Sequence, residues 1–191
     1  MIERLGEDDA GSRAQAISTL VLAFVGDPVM RFLYPSAEGY IEHYPGFCDA
    51  FGGPAFGCGG AWTSVGGAAL WLRPGTHPDG DAIEGHLEAT VASERFDTIG
   101  RVLEKMDTYH PREPHWYLSI IGVDAAHQGQ GLGAKLLQTA LADCDAEGLP
   151  AYLESSNPAN ISLYERHGFE VMGEIHIGDC PVVTPMYRPA R

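Results

Sequence analysis

Apolar residues recur along the chain with two different spacings, and these separate segments that favour strands from segments that favour helices. Runs of β-branched and aromatic residues are typical of strands, whereas apolar residues spaced three and four apart are typical of helices. Strands are predicted over residues 1–5, 61–65, 68–73, 115–123, 151–156, 169–177 and 182–188. Helices are predicted from about Asp9 to Val25, from Ser36 to Phe51, from Ala82 to Met106, from Leu132 to Cys144 and over residues 161–168.

Glycine, proline and asparagine residues mark the boundaries of these segments. Gly66 and Gly67 predict a hairpin turn between two strands, and Pro28 is expected to end the first helix. Residues 52–60, with the sequence GGPAFGCGG, are expected to form a loop or the start of a hairpin. Asn160 is placed to cap the helix that follows it. The uneven pattern over residues 82–106 leaves open whether that region is one helix or two.

Strands and helices mix without strict alternation, which predicts an α+β fold with a mixed sheet rather than a doubly wound one. The chain has 191 residues, 45% of them hydrophobic and 20% charged, as in a globular protein. This length favours one domain over residues 1–191 with a substantial core.

The formal net charge of −14 disfavours nucleic acid and anionic membranes as partners, because the mean field repels polyanions. The beginning, MIERLGEDDA, is acidic where a signal peptide is basic, and no apolar run reaches membrane-spanning length. We therefore expect a cytoplasmic protein. The four cysteines lie far apart and lack the spacing of a zinc site, so we expect reduced thiols and no metal. Monomer and homodimer both remain open.

Three glycines at alternate positions, Gly129, Gly131 and Gly133, lie between a predicted strand and a predicted helix. The first turn of a helix presents unpaired backbone N–H groups and the positive end of the helix dipole. Glycine lets a ligand approach that backbone closely. The segment therefore predicts a phosphate site, and it contains no acidic residue between Ala125 and Ala142.

Two other nucleotide motifs fit this segment less well. A P-loop is excluded because no GK[ST] sequence ends the glycine run. The dinucleotide fingerprint GxGxxA fits Gly129, Gly131 and Ala134, with Glu154 as the ribose-binding acid. However, five residues (DAAHQ, 124–128) separate the strand from the first glycine, and only residues 155–191 remain after Glu154 for further βα units. A dinucleotide-binding protein is the less favoured alternative.

The pattern Q-x-x-G-x-G at Gln128, Gly131 and Gly133 resembles the acyl-CoA loop of the GNAT superfamily of N-acetyltransferases. The resemblance extends to Asn160 and Tyr164 in NPANISLYERHGFE and covers residues 113 to about 171. Within the superfamily, REPHWYLSIIGV, HQGQGLG and PAYLESS are most similar to puromycin N-acetyltransferase-like members. Many GNAT members have Lys or Arg at the position of Gln130, so the attraction for pyrophosphate should be weaker here.

This resemblance implies a mostly antiparallel twisted sheet flanked by helices, and acetyl-CoA as the co-substrate. It also implies a set of contacts in which the loop backbone holds the pyrophosphate and the preceding strand pairs with the pantetheine arm. The residues expected to bind acetyl-CoA are Ile121, Val123, Gln128, Gly129, Gln130, Gly131, Leu132, Gly133, Ala134 and Asn160.

Acetyl transfer to a primary amine also requires a base and an acid. With a pKa of about 10.4, an alkyl ammonium is neutral in only about 1 molecule in 2,500 at pH 7. Glu154, which shares a strand face with Tyr152, is the candidate base, directly or through a water, or the group that binds a cationic substrate. The resemblance implies that Tyr164 is the acid that protonates the leaving thiolate. The acceptor stays unidentified, and a non-catalytic acyl-CoA-binding module remains the alternative. His115 and His127 are not assigned a role, and Trp71 and Trp116 are expected in the core.

Overall fold

The computed structural model describes residues 1–6 and 10–191. Its centre is a seven-stranded sheet in the order β1-β2-β3-β4-β5-β7-β6. All neighbouring strands are antiparallel except β4 and β5, which are parallel. The strands are β1 (Glu3–Arg4), β2 (Ala61–Ser64), β3 (Gly67–Leu72), β4 (Trp116–Val123), β5 (Ala151–Ser155), β6 (Glu170–Val171) and β7 (Thr184–Arg188). The predicted fold class is confirmed, although β6 is shorter than the sequence pattern indicated.

Eight α-helices are found in the described part of the chain. They are α1 (Ala10–Ala23), α2 (Pro28–Leu33), α3 (Ala37–Gly52), α4 (Pro54–Gly57), α5 (Gly80–Thr90), α6 (Ser93–Tyr109), α7 (Leu132–Glu147) and α8 (Ile161–Arg166). The predicted start of the first helix at Asp9 lies outside the described residues. The region 82–106 forms two helices, and the segment 52–60 contains the short helix α4 where a loop or hairpin was expected.

Helix α1 ends at Ala23, before Pro28, which was predicted to end it. Pro28 itself begins α2. Asp27 precedes it as the N-cap and accepts hydrogen bonds from the backbone N–H groups of Val29 and Met30 at 3.0 and 3.1 Å. Proline fits the first helical position because its fixed φ suits a helix and the missing N–H would be unpaired there. The pair Asp27–Pro28 is thus a helix start.

The sheet is covered on both faces. On one face α1, α3, α5 and α6 bury Leu20, Tyr44 and Leu87 against the sheet residues Tyr117 and Tyr152. On the other face α7 and α8 pack their apolar residues against a layer of buried side chains. This layer contains Trp62, Trp71, Trp116, Leu118, Leu153 and Met186. Trp71 and Trp116 are core residues, as predicted. Among the described residues, no helix is long and apolar enough to cross a membrane.

The strands β4 and β5 pair only at their beginnings. Their register joins Trp116, Tyr117 and Leu118 to Ala151, Tyr152 and Leu153. Beyond these pairs β4 continues along β3 while β5 continues along β7. The two neighbours in the middle of the sheet therefore separate, and a gap opens between them at their carboxyl ends.

A β-bulge lies where the separation begins. On β3 the consecutive residues Leu70 and Trp71 pair with Ile120 and Leu118, so Ser119 is an extra residue on β4. Its hydroxyl donates a hydrogen bond to the Leu70 carbonyl oxygen at 2.9 Å. A bulge bends its strand and increases the local twist, which accounts for β4 turning away from β5 at this point.

Candidate active site

The glycine loop joins β4 to α7 and has the backbone geometry of a phosphate cradle. Gly129 and Gly131 both adopt the left-handed conformation at φ 74°, and Gly131 is the N-cap of α7. Other residues avoid this conformation at a cost of about 1–2 kcal/mol. Gly133 differs, because it has no positive φ and an added Cβ would meet its nearest neighbours at an ordinary 3.7 Å. Two of the three predicted glycines are thus required by the backbone.

Two side chains that precede the helix hold the beginning of the loop. The Asp124 carboxylate accepts a hydrogen bond from Ala126 N–H at 3.2 Å, and the Gln128 amide donates to the Val123 carbonyl oxygen at 3.0 Å. Gln128 thereby fixes the loop to the end of β4. The first hydrogen bond of α7 runs from Lys135 N–H to the Gly131 carbonyl oxygen. The N–H groups of the preceding turn therefore have no partner within the helix.

A groove of about 600 Å³ runs along this loop, between the end of α1 and α8. Nine of the ten residues predicted to bind acetyl-CoA line it. The exception is Gln130, which is exposed and lies outside the groove. Arg166, at the end of α8, also lines the groove, and the sequence reasoning missed this cation. It supplies positive charge that Gln130 does not.

Asn160 lines the groove but does not cap α8 with its side chain, contrary to the prediction. The capping side chain in this segment is Asn157, which accepts a hydrogen bond from Ala159 N–H at 3.0 Å and begins a 3₁₀ turn over Pro158–Asn160. The Asn160 side chain is therefore not committed to the cap and is exposed toward the groove.

Tyr164 lies at the inner end of the groove. Its side chain is buried on the α7 and α8 face of the sheet and packs edge-on against Phe169. It lines both the groove and a narrow cleft between the diverging strands β4 and β5. Burial and, secondarily, the negative charge of Asp27 raise the pKa of the Tyr164 phenol. The phenol is thus held protonated at neutral pH.

Asp27 connects the beginning of α2 to the end of β5. Only 6% of the residue is exposed, and its second carboxylate oxygen accepts a hydrogen bond from the Ser156 hydroxyl at 2.5 Å. Burial raises its pKa, and the hydrogen bonds from Ser156 and the α2 backbone oppose this effect. The sequence reasoning missed this contact, which holds the wall of the groove in place.

Glu154 lies on the opposite face of the sheet from Tyr164. Only 4% of its side chain is exposed, and its Oε1 atom has no hydrogen-bond partner among the described residues. His110 Nδ1 is 3.8 Å away, beyond hydrogen-bond distance. Burial and, after it, the charge of Glu154 raise the pKa of the Tyr117 and Tyr152 phenols. The prediction that Glu154 and Tyr152 lie on the same face of their strand agrees with the effect of Glu154 on the Tyr152 phenol.

A second cavity, of about 760 Å³, opens on the face that carries Glu154. Residues of α5, α6, β4 and β5 line it, and its inner end is formed by His110, Tyr117 and Glu154. The narrow cleft between β4 and β5 is lined by both Glu154 and Tyr164. The cleft therefore shares Glu154 with the second cavity and Tyr164 with the groove, and it lies between the two.

The two unassigned histidines lie beside these cavities: the His115 ring contacts the His110 and Tyr152 rings, with centroids 4.9 and 6.1 Å apart, and His127 lines the groove. His115 Nδ1 lies 2.7 Å from the Glu113 carbonyl oxygen, and burial lowers the pKa of its imidazole. His127 Nδ1 lies 3.4 Å from the Asp124 carboxylate. The four cysteines are unpaired, and no cluster of three metal-ligating side chains is found among residues 1–6 and 10–191.

Comparison with known proteins agrees with this geometry. The model of the Acetyltransferase (GNAT) family matches residues 63–169, which include the glycine loop, Glu154 and Tyr164. The chain belongs to the GNAT family. An uncharacterized N-acetyltransferase of Schizosaccharomyces pombe is 29% identical over 189 residues, which cover 88% of this chain and 75% of that protein.

Other GNAT relatives match over a shorter part of their length. The mycothiol acetyltransferase of Streptomyces avermitilis is 32% identical over 121 residues, covering 57% of this chain but only 38% of that protein. Among solved structures, one from Corynebacterium glutamicum is described as "histone acetyltransferase HPA2 and related acetyltransferase". It has a TM-score of 0.67 at 23% identity, and the match covers 100% of this chain and 96% of that one. The arylalkylamine N-acetyltransferase 2 of Aedes aegypti has a TM-score of 0.68 at 13% identity, with 100% and 99% covered. These two structures share the GNAT fold.

Proposed function

We propose that this GNAT protein transfers the acetyl group of acetyl-CoA to a primary amine of a small molecule by direct attack of the amine. The observation that carries the proposal is the cleft between β4 and β5, which both Glu154 and Tyr164 line and which separates two cavities. A ligand in the groove and a ligand in the second cavity meet there, as a transfer between two bound molecules requires.

The groove suits acetyl-CoA in charge and in backbone geometry. The N–H groups at the beginning of α7 and the Arg166 guanidinium favour the pyrophosphate. Ile121 and Val123 follow the last residue of β4 that pairs with β5. On that edge the Ile121 backbone groups and the Val123 N–H are available to the pantetheine amides, while the Val123 carbonyl oxygen accepts from Gln128. Acetyl-CoA supplies an acetyl group activated as a thioester. A backbone N–H of this edge donates to the carbonyl oxygen on which negative charge develops.

Glu154 and Tyr164 provide for the two protons of the reaction. Glu154 accepts a proton from the ammonium, directly or through a water, and so produces the nucleophilic amine. Without a base, the scarcity of neutral amine at pH 7 costs about 4.6 kcal/mol. Tyr164, whose pKa burial raises, donates a proton to the thiolate, whose conjugate acid has a pKa of about 8.5. The ammonium loses two protons in all: one goes to Glu154 and then to solvent, and the one that leaves the nitrogen after attack replaces the proton that Tyr164 gives to the thiolate.

Ligand-induced stabilisation tests the choice of co-substrate. A ligand at 100 times its Kd stabilises the folded state by about 2.7 kcal/mol, which corresponds to a Tm increase of about 5–11 °C for a domain of this size. We expect acetyl-CoA to produce such an increase and NAD and ATP to produce none. Stabilisation by NAD without stabilisation by acetyl-CoA would contradict the proposal and favour the dinucleotide alternative.

Turnover separates the enzyme from a non-catalytic acyl-CoA-binding module. The assay measures free CoA released from acetyl-CoA in the presence of amines, aminonucleosides, polyamines or amino acids. Puromycin belongs in this panel because the loop and β5 sequences resemble puromycin N-acetyltransferase-like members. Binding of acetyl-CoA with no CoA release for any acceptor would favour the non-catalytic alternative.

A further inference from the structure

The cavity on the Glu154 face has apolar walls and a charged rim. Its walls are formed by side chains such as Phe51 on α3, Leu87 on α5 and Phe96 on α6. A cavity of about 760 Å³ is in the size range of sites for drug-sized molecules. Its walls therefore suit an acceptor with an aromatic or aliphatic body, rather than a fully hydrated small amine.

The rim of this cavity carries an excess of negative charge. Four exposed carboxylates line it, from Glu84, Asp97, Glu104 and Asp107, against one guanidinium, from Arg101. None of the four carboxylates forms an ion pair within residues 1–6 and 10–191. A cleft lined by charges of one sign raises the local concentration of the oppositely charged substrate.

The inner end of the cavity carries a further, independent anionic group. Only 4% of the Glu154 side chain is exposed, and its Oε1 atom lacks a hydrogen-bond partner in the described part of the chain. The neighbours of this carboxylate are the Tyr117 and Tyr152 phenols and the His110 ring, and a primary ammonium at this point would supply a full positive charge and the donor that Oε1 lacks. The cavity thus has one anionic end inside, apolar walls, and a second anionic end at the rim.

We infer that the acceptor is an amphipathic diamine, in which an apolar body separates the acetylated primary amine from a second positive charge at the rim. This inference rests on the proposed function, since it takes Glu154 as the group that receives the reacting amine. Acceptors with a carboxylate beside the amine, such as free amino acids, are disfavoured because their carboxylate would lie near Glu154.

Matched acceptors test the second charge directly. The pair is 4-methylphenethylamine and 4-(aminomethyl)phenethylamine, which share the aromatic body and differ by one ammonium group. We expect kcat/KM to be about tenfold higher for the diamine at about 10 mM ionic strength, and the ratio to shrink at about 0.3 M because exposed charges are screened. Equal kcat/KM values at low ionic strength would overturn the inference.

Charge-neutralising variants locate the effect at the rim. In Asp97→Asn/Glu104→Gln the diamine preference at low ionic strength should fall by a factor of about three or more, because the monoamine, with a single positive charge, loses less attraction than the diamine. The control is Glu42→Gln/Glu88→Gln, which removes the same two charges from exposed positions of α3 and α5 outside the cavity. A preference that falls equally in the control and the rim variant would refute the role of the rim.

Calorimetry measures the affinity of each amine for the CoA-loaded protein, and so it tests the inference independently of turnover. Tighter binding of the diamine supports the inference even if no CoA is released from acetyl-CoA, a result that would refute the proposed function alone. Equal binding of the two amines, or no binding of either, would overturn the inference whatever the turnover.

Discussion

The substitution Tyr164→Phe removes one oxygen atom from a buried ring and leaves the rest of the side chain in place. The ring keeps its edge-on contact with Phe169 and its position on the α7 and α8 face of the sheet. Replacing a phenol by a benzene ring of the same shape retains the packing. Any large effect on the reaction therefore reports on the hydroxyl group.

The expected effect follows from the protonation state of the Tyr164 phenol. An unperturbed phenol is ionised to about 0.1% at pH 7 and about 10% at pH 9, and burial together with the Asp27 charge raises the pKa above that reference. The donor is therefore intact over this range. Loss of a general acid lowers kcat about 10²- to 10⁴-fold, equivalent to about 3–5 kcal/mol of barrier. The Kd for acetyl-CoA should change less than about threefold.

The assay is steady-state CoA release at saturating amine between pH 6 and pH 9, together with the Tm and the Kd for acetyl-CoA. Tyr187→Phe is the control, because its hydroxyl donates to the Glu113 carboxylate at 2.8 Å and lies outside the groove and the cleft. A Tyr164→Phe enzyme with the wild-type kcat would refute the role of the phenol as acid. So would a loss of kcat that is matched by an equal loss of acetyl-CoA affinity.

Substitutions at three further positions test the groove. Gly131→Ala should destabilise the fold by about 1–2 kcal/mol and weaken acetyl-CoA binding, because the positive φ strains any Cβ although the space around it is open; Gly133→Ala, read by the same Tm and Kd measurements, should be near neutral. Asp27→Ala should lower the free energy of unfolding by about 2 kcal/mol through loss of the cap and the Ser156 hydrogen bond, and an unchanged Tm would contradict this. Burial raises the pKa of Asp27, so the contribution of this carboxyl group to stability is full below pH about 3.8 and declines as pH rises through the folded-state pKa. In pH-dependent unfolding, Asp27→Asn should abolish this decline. Arg166→Gln should raise the Kd for acetyl-CoA about three- to tenfold at low ionic strength, and an equal change in Lys135→Gln, an exposed residue outside the groove, would argue against a direct role.

Local sequence signals predicted the elements around the groove. The apolar spacing from Leu132 to Cys144 predicted α7, which continues to Glu147 and ends with Gly148 in the left-handed conformation. The aromatic and β-branched run before the loop defines β4. These features depend on residues a few positions apart, and such short-range preferences are readable without the fold.

The gap in the sheet was not predictable in the same way. It depends on the bulge at Ser119 and on the point at which β4 and β5 stop pairing, and both are properties of register between distant strands. The contact between Asp27 and Ser156 joins residues 129 positions apart. Pro28 was interpreted as a stop although it begins a helix, because a proline after a helix and a proline at the first helical position look alike in one sequence.

Glu154 and Tyr164 approach the cleft from opposite faces of the sheet, which gives them different signatures in the pH dependence of the rate. If Glu154 is the base, Glu154→Gln leaves only amine that has already lost its proton in solution, a fraction that rises about tenfold per pH unit below about 10.4. The kcat/KM of this variant should therefore increase about 100-fold between pH 7 and pH 9, whereas Tyr164→Phe should be slow at every pH in this range. The glutamine keeps the size of the side chain, so folding and acetyl-CoA affinity should be retained. A Glu154→Gln profile parallel to that of the wild type would assign the base to another group.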